Sequence, residues 1–161
     1  MPIIQIKERK LINQLDDLLL KTLYEDVLLL YEIEEKLISN NTNAPKWKEF
    51  EKSNKVKLVH NHKKEKGMFK TSKGGILTIN SKYAQQNISD TIIFTNKQNH
   101  VFSSLFSHIR NAFSHNQIFI EDEYVIMYDR LNQNSLSFTM IAHIKIETLK
   151  ELIKTIKSIN N

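Results

Sequence analysis

The sequence predicts a mainly α-helical bundle with a small β-hairpin inserted before the C-terminal helix. Glycine and proline are scarce, at 3 and 2 of 161 residues, which favours long helices over many short strands. Apolar residues recur at helical spacing near both ends and in the middle of the chain. Two segments rich in β-branched residues flank a polar turn ahead of the last helix. We find neither a repeat nor a linker, so we expect one domain over residues 1–161.

The first predicted helical region covers residues 5–38, where apolar side chains follow three- and four-residue steps. The pattern does not decide between one long helix and two helices that bend near Thr22. A polar loop follows, and a short helix is expected to start at Pro45, because proline fits the first helical position. Trp47 and Phe50 would form its apolar side.

A lysine-rich stretch carries the positive charge of the chain. Residues 52–73 hold eight lysines and a single acidic residue, Glu65, whereas the whole chain has a net charge of +5. Such a stretch attracts phosphate backbones through counterion release, but it is equally typical of a solvated loop. We predict a loop here and keep five of its lysines as candidate nucleic-acid contacts: Lys55, Lys57, Lys63, Lys64 and Lys66.

The last third of the chain predicts a hairpin and a helix. Residues 117–120, 124–128 and 136–141 are rich in β-branched and aromatic residues, and the turn at 132–134 joins the last two segments. Residues 148–151 match a capping box, which opens a terminal helix. The apolar stripe of that helix is predicted to be Leu149, Leu152, Ile153, Ile156 and Ile159.

The most informative helix is predicted over residues 102–115. It follows an extended piece at 91–94 and a capping box at 95–98. On a helical wheel, one side is apolar and must be buried, whereas the other side is polar. Arg110 is at the edge between them. The polar side is predicted to carry Ser104, Ser107, His108, Asn111, Ser114 and His115.

Arg110 and His115 can flank a common groove that has Asn111 and Ser114 between them. A guanidinium presents a planar fork that suits phosphate oxygens, and an imidazole can transfer protons near neutral pH. The pair is therefore suited to phosphodiester chemistry. On spacing alone, a solvated helix face is the simpler interpretation.

The segment Leu105-Phe106-Ser107-His108-Ile109-Arg110-Asn111-Ala112-Phe113-Ser114-His115 resembles the signature helix of HEPN domains. That signature is Arg, four to six residues, then His, often with Asn after the Arg. Here four residues separate Arg110 from His115, and Asn111 follows the Arg. The predicted hairpin after the motif helix resembles one bacterial subgroup. Many HEPN proteins have Gly after the motif His; here Asn116 stands there, and Asn also tolerates the left-handed conformation of a helix end.

The resemblance implies a helical bundle that dimerises, and a metal-independent endoribonuclease acting in toxin–antitoxin modules or phage defence. It implies Arg110 and His115 as the catalytic pair, with Asn111 in support. On the same polar side of the helix, we expect His108 and Ser114 as neighbouring contacts to RNA. RNA, a second copy of the chain and an antitoxin, for example of the nucleotidyltransferase type, are the implied partners, and no cofactor is expected. The alternative is an inactive HEPN module that binds nucleotides, RNA or a protein.

A physical argument also favours a homodimer. Cleavage by attack of the RNA 2′-hydroxyl needs a base and an acid, and one motif has a single histidine. A two-fold dimer would bring two histidines and two arginines together.

Other functional classes are less favoured. His60 and His62 could hold a metal, but no carboxylate cluster is near, so we interpret them as incidental and expect no metal site. No helix pairs exposed basic residues with a recognition-helix pattern, which disfavours a DNA-binding regulator. The absence of cysteine excludes disulfides and thiol catalysis. No apolar run reaches membrane-spanning length and no signal pattern opens the chain, so we expect a cytoplasmic protein without membrane contact.

Overall fold

The computed structural model describes residues 10–11, 21, 25, 44–60, 68–71, 76–80, 89–96, 101–132 and 137–159. The helices whose bounds fall within these ranges are α1 (Ala44–Asn54), α2 (Val101–Ser114) and α3 (Ile146–Ile159). The strands of the same ranges are β1 (Lys10–Leu11), β2 (Lys57–His60), β3 (Phe69–Thr71), β4 (Leu77–Ile79), β5 (Thr91–Phe94), β6 (Ile118–Glu121), β7 (Tyr124–Arg130) and β8 (Phe138–Lys145).

Six strands form one mixed sheet in the order β1-β6-β7-β8-β5-β2, and β3 pairs with β4 separately. The β2–β5 pair is parallel, whereas the other pairs are antiparallel. Apolar side chains from all three helices form the larger core cluster together with one face of the sheet. A second, smaller cluster covers part of the opposite face and includes Met68 and Ile79 from the β3–β4 unit.

The expectation of a mainly α-helical bundle with a small hairpin is therefore wrong, because the described part of the chain is an α/β fold built around a sheet. The predicted extended segments do form strands, but β7 and β8 lie in the middle of the sheet. Their central residues are buried on both faces, and such strands give apolar runs without a diagnostic period. Sheet membership also depends on pairs such as Lys57 with Thr91, which are distant in sequence.

Two further expectations in the first half of the chain need correction. Residues 52–73 do not form one loop, because α1 continues to Asn54 and both β2 and β3 lie within the stretch. Within 5–38, Lys10–Leu11 is not helical but forms a strand, and this strand pairs with β6. Lys21 is helical, whereas the proposed bend near Thr22 lies outside the described residues.

The helices that pack against the sheet match the sequence more closely. Trp47 and Phe50 of α1 are buried, as predicted. α3 begins at Ile146, directly after β8, and not at the capping box two residues later. The Ile146 N–H donates a hydrogen bond to the Glu123 carbonyl at 2.9 Å, which fixes this start. The apolar stripe is buried at Leu149, Leu152, Ile153 and Ile156, and the side chain of Ile159 lies outside the described residues.

A helix that crosses a membrane must be long and apolar. No helix in the described ranges is both long enough and apolar enough to cross one.

Candidate functional site

The end of α2 is fixed by a Schellman motif, in which two backbone N–H groups after the helix bond back to its last carbonyls. The N–H of Asn116 donates to the Phe113 carbonyl at 3.1 Å, and that of Gln117 donates to the Ala112 carbonyl at 2.7 Å. Asn116 has a φ of 54°, which confirms that it takes the left-handed conformation. His115 consequently lies exposed at the last turn of the helix, just before the chain enters β6.

His108 is buried, although the helical wheel puts it on the polar side of α2. Its Nδ1 lies 2.7 Å from Asp129 Oδ2 on β7, and its Nε2 lies 2.7 Å from the carbonyl oxygen of Thr95. The same carbonyl accepts a hydrogen bond from the Ser104 hydroxyl at 3.0 Å. The predicted role of His108 as an exposed contact to RNA therefore has no support in this geometry, because both ring nitrogens face protein acceptors.

The two partners of the His108 ring are both hydrogen-bond acceptors, a carboxylate oxygen and a backbone carbonyl oxygen. Both contacts are hydrogen bonds when each ring nitrogen carries a proton. With the ring in that form, the contact between His108 and Asp129 is a buried ion pair. It connects the middle of α2 to the end of β7 on the buried side of the helix.

Asn111 extends this network towards the surface. Its Nδ2 donates to Asp129 Oδ2 at 3.2 Å, and its Oδ1 accepts from Arg110 Nη1 at 3.0 Å. Asp129 Oδ2 therefore holds both His108 and Asn111, one turn apart on α2. The amide of Asn111 is fixed in one orientation by a partner on each side, so its oxygen and nitrogen can be told apart.

A cleft of about 260 Å³ lies where the end of α2 meets the end of β7. Asn111, His115 and Gln117 line it from the helix side, and residues 128–132 line it from the strand side. Two of the three predicted catalytic residues thus face one cleft. Arg110 is not among its lining residues, and it adjoins the cleft through its hydrogen bond to Asn111.

Asp129 and Arg130 both line this cleft although they are consecutive residues of a strand. In a regular strand they would point to opposite faces of the sheet. The pairing of β7 with β8 shifts register between these two residues, so that Arg130 pairs with Phe138. Tyr128, which pairs regularly with Ile141, also lines the cleft, so the cleft lies across the end of β7 and is reached from both faces of the sheet.

Arg130 is positioned by an aromatic ring. Its Cζ atom lies 5.5 Å from the centre of the Phe138 ring, which is the geometry of a cation–π contact. No acidic partner of Arg130 lies among the described residues, and its Nε, which is withdrawn from solvent, has no hydrogen-bond partner there. The cleft therefore contains a guanidinium that the Phe138 ring holds in place and that no described acidic residue neutralises.

The remaining predicted contacts lie elsewhere. Ser114 is exposed at the last helical position but does not line the cleft. Lys55 and Lys57 are exposed near the start of β2. Lys57 pairs with Thr91 of β5, which pairs with His143 of β8, and His143 in turn pairs with Ile126 of β7. Because Ile126 lies three residues before Asp129, these lysines lie towards the other end of the sheet. Lys63, Lys64 and Lys66 lie outside the described residues.

Sequence reasoning missed Gln117, Asp129 and Arg130. One signal was present, because Asp129 interrupts the otherwise apolar and aromatic segment of β7 and buried acids are rare unless paired. Its partner His108 is 21 residues away, so the pair could not be recognised from spacing.

His60 belongs to the core. It is buried at the end of β2, with its ring 6.4 Å from that of Trp47 and 5.8 Å from that of Phe94. His62 lies outside the described residues. In the part of the chain that the structure describes, no three His, Asp or Glu side chains are grouped as metal ligands would be.

Comparisons of the chain with protein-family models, with curated proteins and with solved structures found no match. The resemblance to HEPN domains therefore stays a prediction that rests on the motif of α2.

Proposed function

We propose that this protein is an endoribonuclease that cleaves RNA without a metal ion at the cleft between α2 and β7. The observation that carries the proposal is that Asn111 and His115, two neighbours in the predicted motif, line one cleft together with Arg130. An exposed imidazole, together with a guanidinium that has no acidic partner among the described residues, provides the groups that phosphodiester cleavage uses.

The proposed reaction is attack of the RNA 2′-oxygen on the adjacent phosphorus. The new P–O2′ bond forms as the P–O5′ bond breaks, which leaves a 2′,3′-cyclic phosphate and a 5′-hydroxyl. A base takes the proton of the 2′-hydroxyl, and an acid gives a proton to the departing 5′-oxygen. We assign one of these transfers to His115 and the orientation of the phosphate to the Asn111 amide.

Arg110 has a positioning role in this scheme. Its hydrogen bond to Asn111 Oδ1 fixes the amide, whose nitrogen is held by Asp129. The ion pair of His108 with Asp129 anchors the same carboxylate from within the core. His108 therefore supports the cleft, whereas His115 would act in it.

The second proton transfer requires another group, and we propose that a second copy of the chain supplies its own His115. A homodimer related by a two-fold axis would place equivalent clefts beside each other. As a toxin or defence effector in the cytoplasm, such an enzyme would need a neutralising partner, for which a nucleotidyltransferase-type antitoxin is the proposed candidate.

The test is incubation of the purified protein with total RNA in the presence of a chelator. Wild-type protein should produce fragments with 2′,3′-cyclic phosphate and 5′-hydroxyl ends, and DNA should survive because it lacks the attacking group. His115→Ala should lower the rate by about a hundredfold or more. The matched control is His143→Gln, which removes an imidazole that contacts Tyr124 away from the cleft.

If wild-type protein cuts no RNA, or if His115→Ala cuts as fast as wild type, the enzymatic proposal is wrong. RNA binding without cleavage would then favour the alternative, an inactive binding module.

A further inference from the structure

We infer that Arg130, and not the motif residue Arg110, is the residue that binds the phosphate group of the substrate. The inference rests on the proposed function, because it names the phosphate subsite of the same cleft. It also makes a claim of its own, namely that the cleft binds inorganic phosphate through Arg130 beside His115.

The guanidinium groups of Arg130 and Arg110 differ in their position relative to the cleft. Arg130 lines the cleft together with His115, whereas Arg110 does not. Arg110 also uses one of its terminal nitrogens to hold the Asn111 side chain. The amino-acid sequence offers both arginines, but only one of them faces the cleft.

Arg130 is held in a way that leaves donors for a ligand. Its guanidinium contacts the face of the Phe138 ring, and stacking of this kind leaves the N–H groups at the edge of the guanidinium plane available to a ligand. Its Nε is withdrawn from solvent, which leaves the two terminal nitrogens as the donors for a ligand in the cleft. Two oxygens of one phosphate can accept parallel hydrogen bonds from these nitrogens.

The charges near the cleft also favour Arg130 as an anion-binding group. Asp129, the acidic residue of the cleft lining, shares its Oδ2 between His108 and Asn111, so its charge is already offset inside the core. The acidic turn at 121–123 lies at the opposite end of β7, roughly 20 Å away for a strand of this length. Among the described residues, no acidic side chain therefore offsets the charge of Arg130, which is left for an anion that enters the cleft.

The register shift between β7 and β8 brings Phe138 opposite Arg130. This pairing places the ring that holds the guanidinium at the end of β7, where residues 128–132 line the cleft. Arg130 of β7 thus meets Asn111 and His115 of α2 in one cleft.

The experiment is a titration of protein labelled at histidine with inorganic phosphate, with chloride used to hold the ionic strength constant. The imidazole signals of His115 are followed by NMR and are identified by their absence in His115→Ala. Wild-type protein should show a saturable shift of these signals. Arg130→Gln should weaken phosphate binding by about tenfold or more, because it removes a charge-assisted hydrogen bond.

Arg130→Lys should bind phosphate with an intermediate affinity, since an ammonium keeps the charge but lacks the planar fork. The matched control is Lys145→Gln, which also removes one positive charge but lies at the opposite end of the sheet, paired with Glu123 at 3.8 Å. It should bind phosphate as wild type does. The fluorescence of Trp47, the single tryptophan, reports that each variant is folded.

The inference is overturned if His115 does not respond to phosphate in the wild type, or if Arg130→Gln binds phosphate as tightly as wild type. It is also overturned if Arg110→Gln loses phosphate binding while Arg130→Gln retains it. Failure of the proposed function looks different, because phosphate would still bind through Arg130 while RNA remains uncut. RNA cleavage that persists at full rate in Arg130→Gln would remove the inference and leave the proposed function standing.

Discussion

The Nδ1 atom of His108 and the Oδ2 atom of Asp129 lie 2.7 Å apart between the middle of α2 and the end of β7, and both side chains are buried. A buried ion pair of this kind is costly to break from one side, because the remaining charge is left without a partner. The pair therefore ties the candidate site to the stability of the whole fold.

We expect Asp129→Ala to lower the free energy of unfolding by about 3–5 kcal/mol, because it leaves the His108 imidazolium unpaired in the core. Urea unfolding followed by Trp47 fluorescence measures this change. Glu151→Ala, which breaks an exposed ion pair with Lys154, is the control and should cost less than about 1 kcal/mol. A similarly small effect of Asp129→Ala would contradict the assignment of a charged pair.

Removing both partners should cost less than the sum of the two single changes. In a double-mutant cycle of His108→Ala and Asp129→Ala, the second change no longer leaves a buried charge without a partner. We therefore expect a coupling free energy of about 0.5–3 kcal/mol between the two residues. Strict additivity in the same unfolding assay would show that the two groups do not interact in solution.

We expect Asn111→Ala to reduce RNA cleavage less than His115→Ala does. The amide orients neighbouring groups through Asp129 and Arg110, but it cannot transfer protons near neutral pH. Single-turnover rates of the two variants on one RNA provide the measurement. Equal losses would mean that Asn111 has a more direct role than positioning.

Arg110→Lys should retain more activity than Arg110→Ala. A lysine can keep a single hydrogen bond to Asn111 Oδ1, as Arg110 Nη1 does in the structure, whereas alanine cannot. The comparison is made on cleavage rates at saturating RNA. If lysine were as poor as alanine, a two-donor contact of Arg110 with the phosphate would be the better interpretation.

The lysine-rich stretch makes a separate prediction about RNA binding. Replacing Lys55, Lys57, Lys63, Lys64 and Lys66 by glutamine should weaken binding and flatten its salt dependence. Each lost phosphate contact should reduce the slope of log affinity against log salt by roughly 0.7 for single-stranded RNA. Binding is measured with the inactive His115→Ala protein, and an unchanged slope would make the stretch a solvated segment.

The proposed dimer predicts a mass in solution of twice that of the chain at micromolar concentration, measured by light scattering. A monomeric mass combined with full RNA cleavage would show that one chain supplies both proton-transfer groups.

Much of the local structure around the site could be predicted from sequence. The apolar spacing of α2 predicted its buried side, including Phe102, Leu105 and Ile109, and the Asn116 side chain predicted the left-handed helix end. The segments that become β6, β7 and β8 were recognised from their β-branched residues. These features depend on contacts within a few residues, so a local pattern contains them.

The sheet, and with it the fold class, was decided by tertiary structure. β2 and β5 pair across a long stretch of sequence, and β7 becomes a central strand because it is covered on both faces. The burial of His108 depends on Asp129 of β7, and the position of Arg130 over the Phe138 ring depends on the pairing of β7 with β8. A sequence determines which residues can form a helix or a strand, but the pairing of distant strands depends on the total area buried, which no local period encodes.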